Sequence, residues 1–134
     1  MNAELSHTIL NNVVTATLML DELLCVRYAN PAAEQLFSQS AKRITNQPLS
    51  KLIQHASMDL ALLTQPLQSG QSITDSDVTF VVDGKPLMLE VTVSPMSWEK
   101  ELYLLVEMRR IGQQRRLTQE LNQHAQQQAA KLLV

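Results

Sequence analysis

The chain has 134 residues, is 45% hydrophobic but only 4% aromatic, and carries a formal net charge of −2. That suits one domain with a short extension, built on an aliphatic core. No basic stripe matches a nucleic-acid backbone, no apolar run nears the roughly 20 residues that cross a bilayer, and the single cysteine, Cys25, excludes an internal disulfide or a Cys-based zinc site.

The N-terminus, Met1-Asn2-Ala3-Glu4, lacks the basic and apolar regions of a signal peptide, so a cytoplasmic location is expected. Residues 7–14 place Ile9, Leu10, Val13 and Val14 at helical spacing, which predicts an entry helix within 1–15. A continuous apolar run over 16–21 and a second apolar stretch over 23–29 predict two strands of a hairpin. The turn between them, Asp21-Glu22-Leu23-Leu24, contains no glycine and is expected to be long or of an unusual type.

The second strand then stops at Asn30-Pro31. Asn30 is a strong N-cap, because its side-chain oxygen can accept a first-turn N–H that has no partner in the helix. Pro31 suits the first helical position, where its missing N–H costs nothing. Ala32, Ala33, Glu34, Gln35 and Leu36 continue a helix that should end near Ser38. A loop over 44–48 and a helical turn over 49–53 follow. Leu60, Leu63 and Leu67 then mark one helix face over 59–68, with Pro66 expected to kink or end it and Gly70 to close it.

Beyond Gly70 the hydrophobic period changes to two. Val78, Phe80 and Val82 lead into Asp83-Gly84, a strong hairpin signal, and Leu87, Leu89, Val91 and Val93 return. A second connection is expected over 94–100, before a last strand carrying Leu102, Leu104, Val106 and Met108. Residues 112–134 are Gln-rich, without proline, and read as a polar helix whose Leu117, Leu121, Ala125 and Leu132 fit no clean heptad frame.

Chemistry is sparse. His7, His55 and His124 have no partner at metal-ligand spacing. Haem ligation through His55 is weighed against a surface histidine, and the surface reading is preferred. Cys25, between Leu24 and Val26, reads as a small apolar filler. Asp75 and Asp77 read as a solvated strand edge, and Ser6, His7 and Asp21 form no nucleophilic pattern. No catalytic, cofactor-binding or metal residue is assigned. Asn30 and Pro31 are assigned as a structural helix cap.

The strand that ends in Tyr28-Ala29-Asn30-Pro31-Ala32-Ala33 and passes directly into a helix resembles the PAS domains. With Pro48-Leu49, the Asp83-Gly84 hairpin and the tail Arg115-Arg116-Leu117-Thr118-Gln119-Glu120, it is similar to the N-terminal part of the NtrB family of nitrogen-regulation sensor histidine kinases. The resemblance implies an α+β PAS fold: a five-stranded antiparallel sheet with short helices on one face over 16–111, flanked by an entry helix in 1–15 and a signalling helix in 112–134 that leads to a kinase core.

It also implies a non-catalytic sensory and dimerising module. The parent would be a dimeric kinase that autophosphorylates on histidine, acts on a response regulator and is switched by a PII signal protein. No cofactor is implied. The expected homodimer interface comprises Leu5, Ile9, Leu10 and Val13 of the entry helix with Leu117, Leu121 and Leu132 of the exit helix. The entry-helix residues could equally cap the outer sheet face of their own subunit. A ligand- or cofactor-sensing PAS domain of another signalling protein is the alternative reading, since helices over 49–67 could line a cavity against the sheet.

Overall fold

The computed structural model describes residues 15–111. The expected entry and exit helices, the seven interface residues, His7 and His124 lie outside the described residues.

The chain order is β1 (Ala16–Leu20), β2 (Val26–Ala29), α1 (Pro31–Phe37), α2 (Ala41–Ile44), α3 (Leu49–Leu52), β3 (His55–Ala56), a 3-10 helix (Leu60–Thr64), α4 (Gln65–Ser69), β4 (Ile73–Val82), β5 (Lys85–Trp98) and β6 (Glu101–Arg110). The strands form one antiparallel sheet in the order β2-β1-β6-β5-β4-β3. The sheet has six strands where five were expected. The additional one, β3, has two residues paired with Val81 and Phe80, too few to show any hydrophobic period.

Alternation sends Leu18 and Leu20, Leu104, Val106 and Met108, Leu89, Val91 and Val93, and Val78, Phe80 and Val82 to one face of the sheet. There they join Leu36 and Phe37 of α1, Ile44 of α2, Leu49 and Leu52 of α3, and Leu63 in a single buried cluster.

The glycine-free first turn closes through a side chain. Asp21 Oδ1 accepts from the backbone N–H of Leu23 (2.9 Å) and of Cys25 (3.0 Å), and Leu24 takes the left-handed conformation at φ 63°. Because the turn extends to Cys25, β2 begins at Val26 and is shorter than the expected 23–29 strand. Asp21 Oδ2 also pairs with Arg27 at 2.8 Å, a half-exposed contact of small value. Asp21→Ala is therefore expected to lower stability by about 1–2 kcal/mol, mainly by leaving two turn N–H groups without their acceptor, as read by urea denaturation.

An unforeseen helical turn, α2, precedes the expected 44–48 loop, and that loop covers the free edge of β2. Asn46 donates to the Val26 carbonyl (2.6 Å), and Val26 donates to the Gln47 carbonyl (2.9 Å). Pro66 divides its segment in two. The 3-10 helix stops at Thr64, and α4 starts with the proline in its first turn, where no N–H is required. Gly70 ends α4 at φ 72°.

Asp83 and Gly84, at φ 53° and 76°, make the tight hairpin turn, and the Gly84 N–H donates to Gln54 Oε1 (2.7 Å). The expected second connection over 94–100 is instead mostly strand. β5 runs through Pro95 to Trp98 and turns only at Glu99–Lys100, both at positive φ (49° and 68°). Pro95 is tolerated because β4 stops pairing with β5 at Val93, so the proline lies beside a free edge.

Candidate functional site

The buried polar residues of the described chain meet at the corner between β2 and α1. Asn30 is fully buried at 0% exposure, extended at φ −80° and ψ 169°, and followed by Pro31 at the start of the helix. Its Oδ1 accepts from the Ala33 N–H (2.9 Å) and also from the Thr17 N–H on β1 (2.9 Å). Its Nδ2 donates to the Thr15 carbonyl (2.9 Å), and its backbone N–H donates to the Thr17 carbonyl (3.1 Å). Thr17 Oγ1 meets the same Thr15 carbonyl at 3.0 Å. Asn30 thus caps α1 and also ties the helix to the point at which the described chain begins.

The described chain leaves beside that point. Ala16 pairs with Met108 across β1 and β6, and the N–H of Ile111 donates to the Met88 carbonyl (3.1 Å). A shallow cleft of ≈ 420 Å³ separates Ala32 and Leu36 of α1 from Met108 and Arg109 of β6. α1 is thus bonded to the start of β1, which in turn pairs with the end of β6.

Thr17 and Asn30 are the only buried polar residues among those described, and both belong to this corner. No buried side-chain nitrogen or oxygen among the described residues lacks a partner. The space between helices and sheet is filled by Phe37, Phe80, Ile44, Leu49, Leu63 and their aliphatic neighbours.

The other residues singled out by sequence are scattered. Cys25 is half-buried in the first turn, where it bridges to Pro48. His55 is exposed, its backbone paired with Val81, on a strand rather than on the pocket-lining helix that haem ligation would require. Asp75 and Asp77 are exposed at an irregularity of β4, with Asp75 Oδ1 accepting the Asp77 N–H (3.0 Å). Among the described residues, no cluster of His, Cys, Asp and Glu could hold a metal ion, and no helix is long and apolar enough to cross a membrane.

Two features escaped sequence reading. Thr17 sat unremarked in an apolar run, although a lone hydroxyl there is the usable signal. The second is a cleft of ≈ 780 Å³ at the tips of the β1–β2 and β5–β6 hairpins, lined by Leu23, Arg27, Lys100, Leu102 and Tyr103. The Tyr103 hydroxyl donates to Glu101 Oε2 (3.0 Å), and this bond pushes its pKa above the usual tyrosine value. Slight burial and the Glu101 and Glu99 charges act in the same direction, against Arg27.

The family model described as the PAS fold matches residues 4–111. The chain belongs to the PAS family. Over its full length this PAS domain is 80% identical to the sensory histidine kinase/phosphatase NtrB of Vibrio alginolyticus, and over 94% of its length it is 43% identical to NtrB of Klebsiella oxytoca. It spans only 38% and 35% of those two relatives. The crystal structure of the PAS domain of nitrogen regulation protein NR(II) from Vibrio parahaemolyticus superposes with a TM-score of 0.75 at 78% identity, covering 80% of this chain and 98% of that one. The expected α+β PAS fold and the likeness to the nitrogen-regulation sensor kinases are thereby established.

Proposed function

We propose that this PAS domain is the non-catalytic sensing, dimerising and signal-transmitting module of a cytoplasmic two-component histidine kinase that controls nitrogen assimilation. The parent protein autophosphorylates on a histidine outside this chain, then phosphorylates or dephosphorylates a response regulator under the control of a PII signal protein. The observation that carries this reading is the 80% identity, over the whole chain, to a sensory histidine kinase/phosphatase.

Two physical features support transmission over ligand reading. Among the described residues the interior is packed with aliphatic and phenylalanine side chains, and the buried polar side chains, Thr17 and Asn30, are engaged with one another and with backbone. The Asn30 corner also couples α1 to β1, which pairs with β6 where the described chain enters and leaves.

Sedimentation equilibrium tests the dimerising part. The 134-residue chain is expected to associate at micromolar concentration, and removal of residues 113–134 is expected to weaken that association at least tenfold. A chain that stays monomeric at high micromolar concentration overturns the reading.

A further inference from the structure

Leu23 and Leu102 are 82% and 49% exposed, and they are two of the three exposed large hydrophobics among the described residues. One exposed leucine is ordinary. These two come from different hairpins and line the same cleft, beside Tyr103. Both are held firmly: Leu23 by the Asp21 side chain that closes its turn, and Leu102 by its pairing with Ser97. Exposed aliphatic side chains on a fixed backbone inside a charged rim are the anatomy of an anchor site for another protein segment.

The rim has a sign. Arg27 is neutralised by Asp21, whereas Glu22, Glu99 and Glu101 have no cationic partner among the described residues. Lys100 offsets one of these three carboxylates, which leaves the tip with an excess of negative charge. The complementary occupant is an aliphatic side chain flanked by arginines.

The chain contains such a segment in Arg115-Arg116-Leu117. Its own copy cannot deliver it. Along β6, Ile111 lies about 30 Å from Leu102 at the rise of an extended strand. Leu117 is at most about 21 Å of fully extended chain beyond Ile111.

We propose that the cleft between Leu23 and Leu102 receives Arg115-Arg116-Leu117 of a second copy, with the two chains antiparallel so that each exit segment meets the other's hairpin tips. The contact is isologous and closes as a dimer. It rests on the dimeric signalling reading above and adds a regulatory state to it. A Leu117 held at the partner's tip, about 30 Å along β6 from that partner's own exit point, cannot pair with its twin. Tip binding therefore competes with exit-segment pairing.

Disulfide trapping on the full chain tests the proposal, in a Cys25→Ser background. Chains carrying Ser97→Cys, an exposed position paired with Leu102, are mixed with chains carrying Thr118→Cys and mildly oxidised. A disulfide between positions 97 and 118 of different chains is expected. Leu23→Ser with Leu102→Ser should reduce its yield at least tenfold, as should Arg115→Glu with Arg116→Glu. Adding Glu99→Arg and Glu101→Arg to the latter pair should restore it. Disulfides between two copies of position 118 alone would overturn tip binding and leave the signalling-dimer reading intact. No crosslink together with a monomer in sedimentation would overturn both.

Discussion

Asn30→Ala is expected to lower the stability of the chain by about 3 kcal/mol, more than the loss of an N-cap alone, which costs about 0.5–2 kcal/mol. The excess arises because the side chain serves two elements. Its removal leaves the Thr17 and Ala33 N–H groups buried without an acceptor, each at about 1–3 kcal/mol before relaxation. The melting temperature should fall by roughly 10–20 °C. Asn30→Ser is the discriminating control. A serine can still cap α1, but one short hydroxyl cannot replace both ends of the amide, which reach Thr17 and Thr15 as well as Ala33, so it should recover only part of the loss. If alanine costs no more than about 1 kcal/mol in urea denaturation, the link between α1 and β1 carries no weight.

Phe37→Ala is expected to cost about 3–5 kcal/mol, the usual range for truncating a buried aromatic. Phe37 ends α1, is 1% exposed, and precedes Ser38, which turns the chain in the left-handed conformation at φ 54°. The phenylalanine fastens the last turn of α1 to the core while Asn30 fastens the first. Removing it should leave the last turn held by Leu36 alone. Amide exchange in α1 should then accelerate more than exchange in β5 and β6, at a temperature where the variant is still folded. A uniform loss of protection, or a cost below about 1 kcal/mol, would contradict this division of labour. Against a typical total of about 5–15 kcal/mol, either substitution consumes a large share of the margin.

The elements read most readily from sequence were those with a local physical cause. The Asn-Pro corner, the alternating runs and the Asp83–Gly84 turn each state their geometry within a few residues, and the structure has a helix from Pro31, strands β4 and β5, and a turn at positive φ in those places. The misreadings came where the cause was distant. Glu99 and Lys100 adopt positive φ without any turn signature, because the pairing of β5 with β6 on both sides fixes the turn. Ser94 to Trp98 reads as a loop, since Pro95 is a breaker everywhere except beside a free edge, and no local pattern reveals that β4 begins opposite Val93. β3 exists only because Phe80 and Val81 are there to pair with it.

At the candidate site the sequence pointed to Asn30 but saw only half of its work. A side-chain amide has two ends, and their further partners, Thr17 in β1 and Thr15 just before it, precede the corner by more than ten residues. The hairpin-tip cleft was invisible, because its lining comes from two turns that are distant in the chain and adjacent only in the sheet.

The side-by-side course of β1 and β6 bears on how such a domain can be carried by a longer polypeptide. Ala16 and Met108 face each other across one ladder spacing, a gap of about 5 Å. Excising everything between them would leave two ends that one or two residues could rejoin. The sequences on either side would then become neighbours without passing through the fold. A unit with this geometry can be spliced into or out of a host chain with little disturbance to what flanks it, as one lifts a loop of rope from a line without moving the two ends.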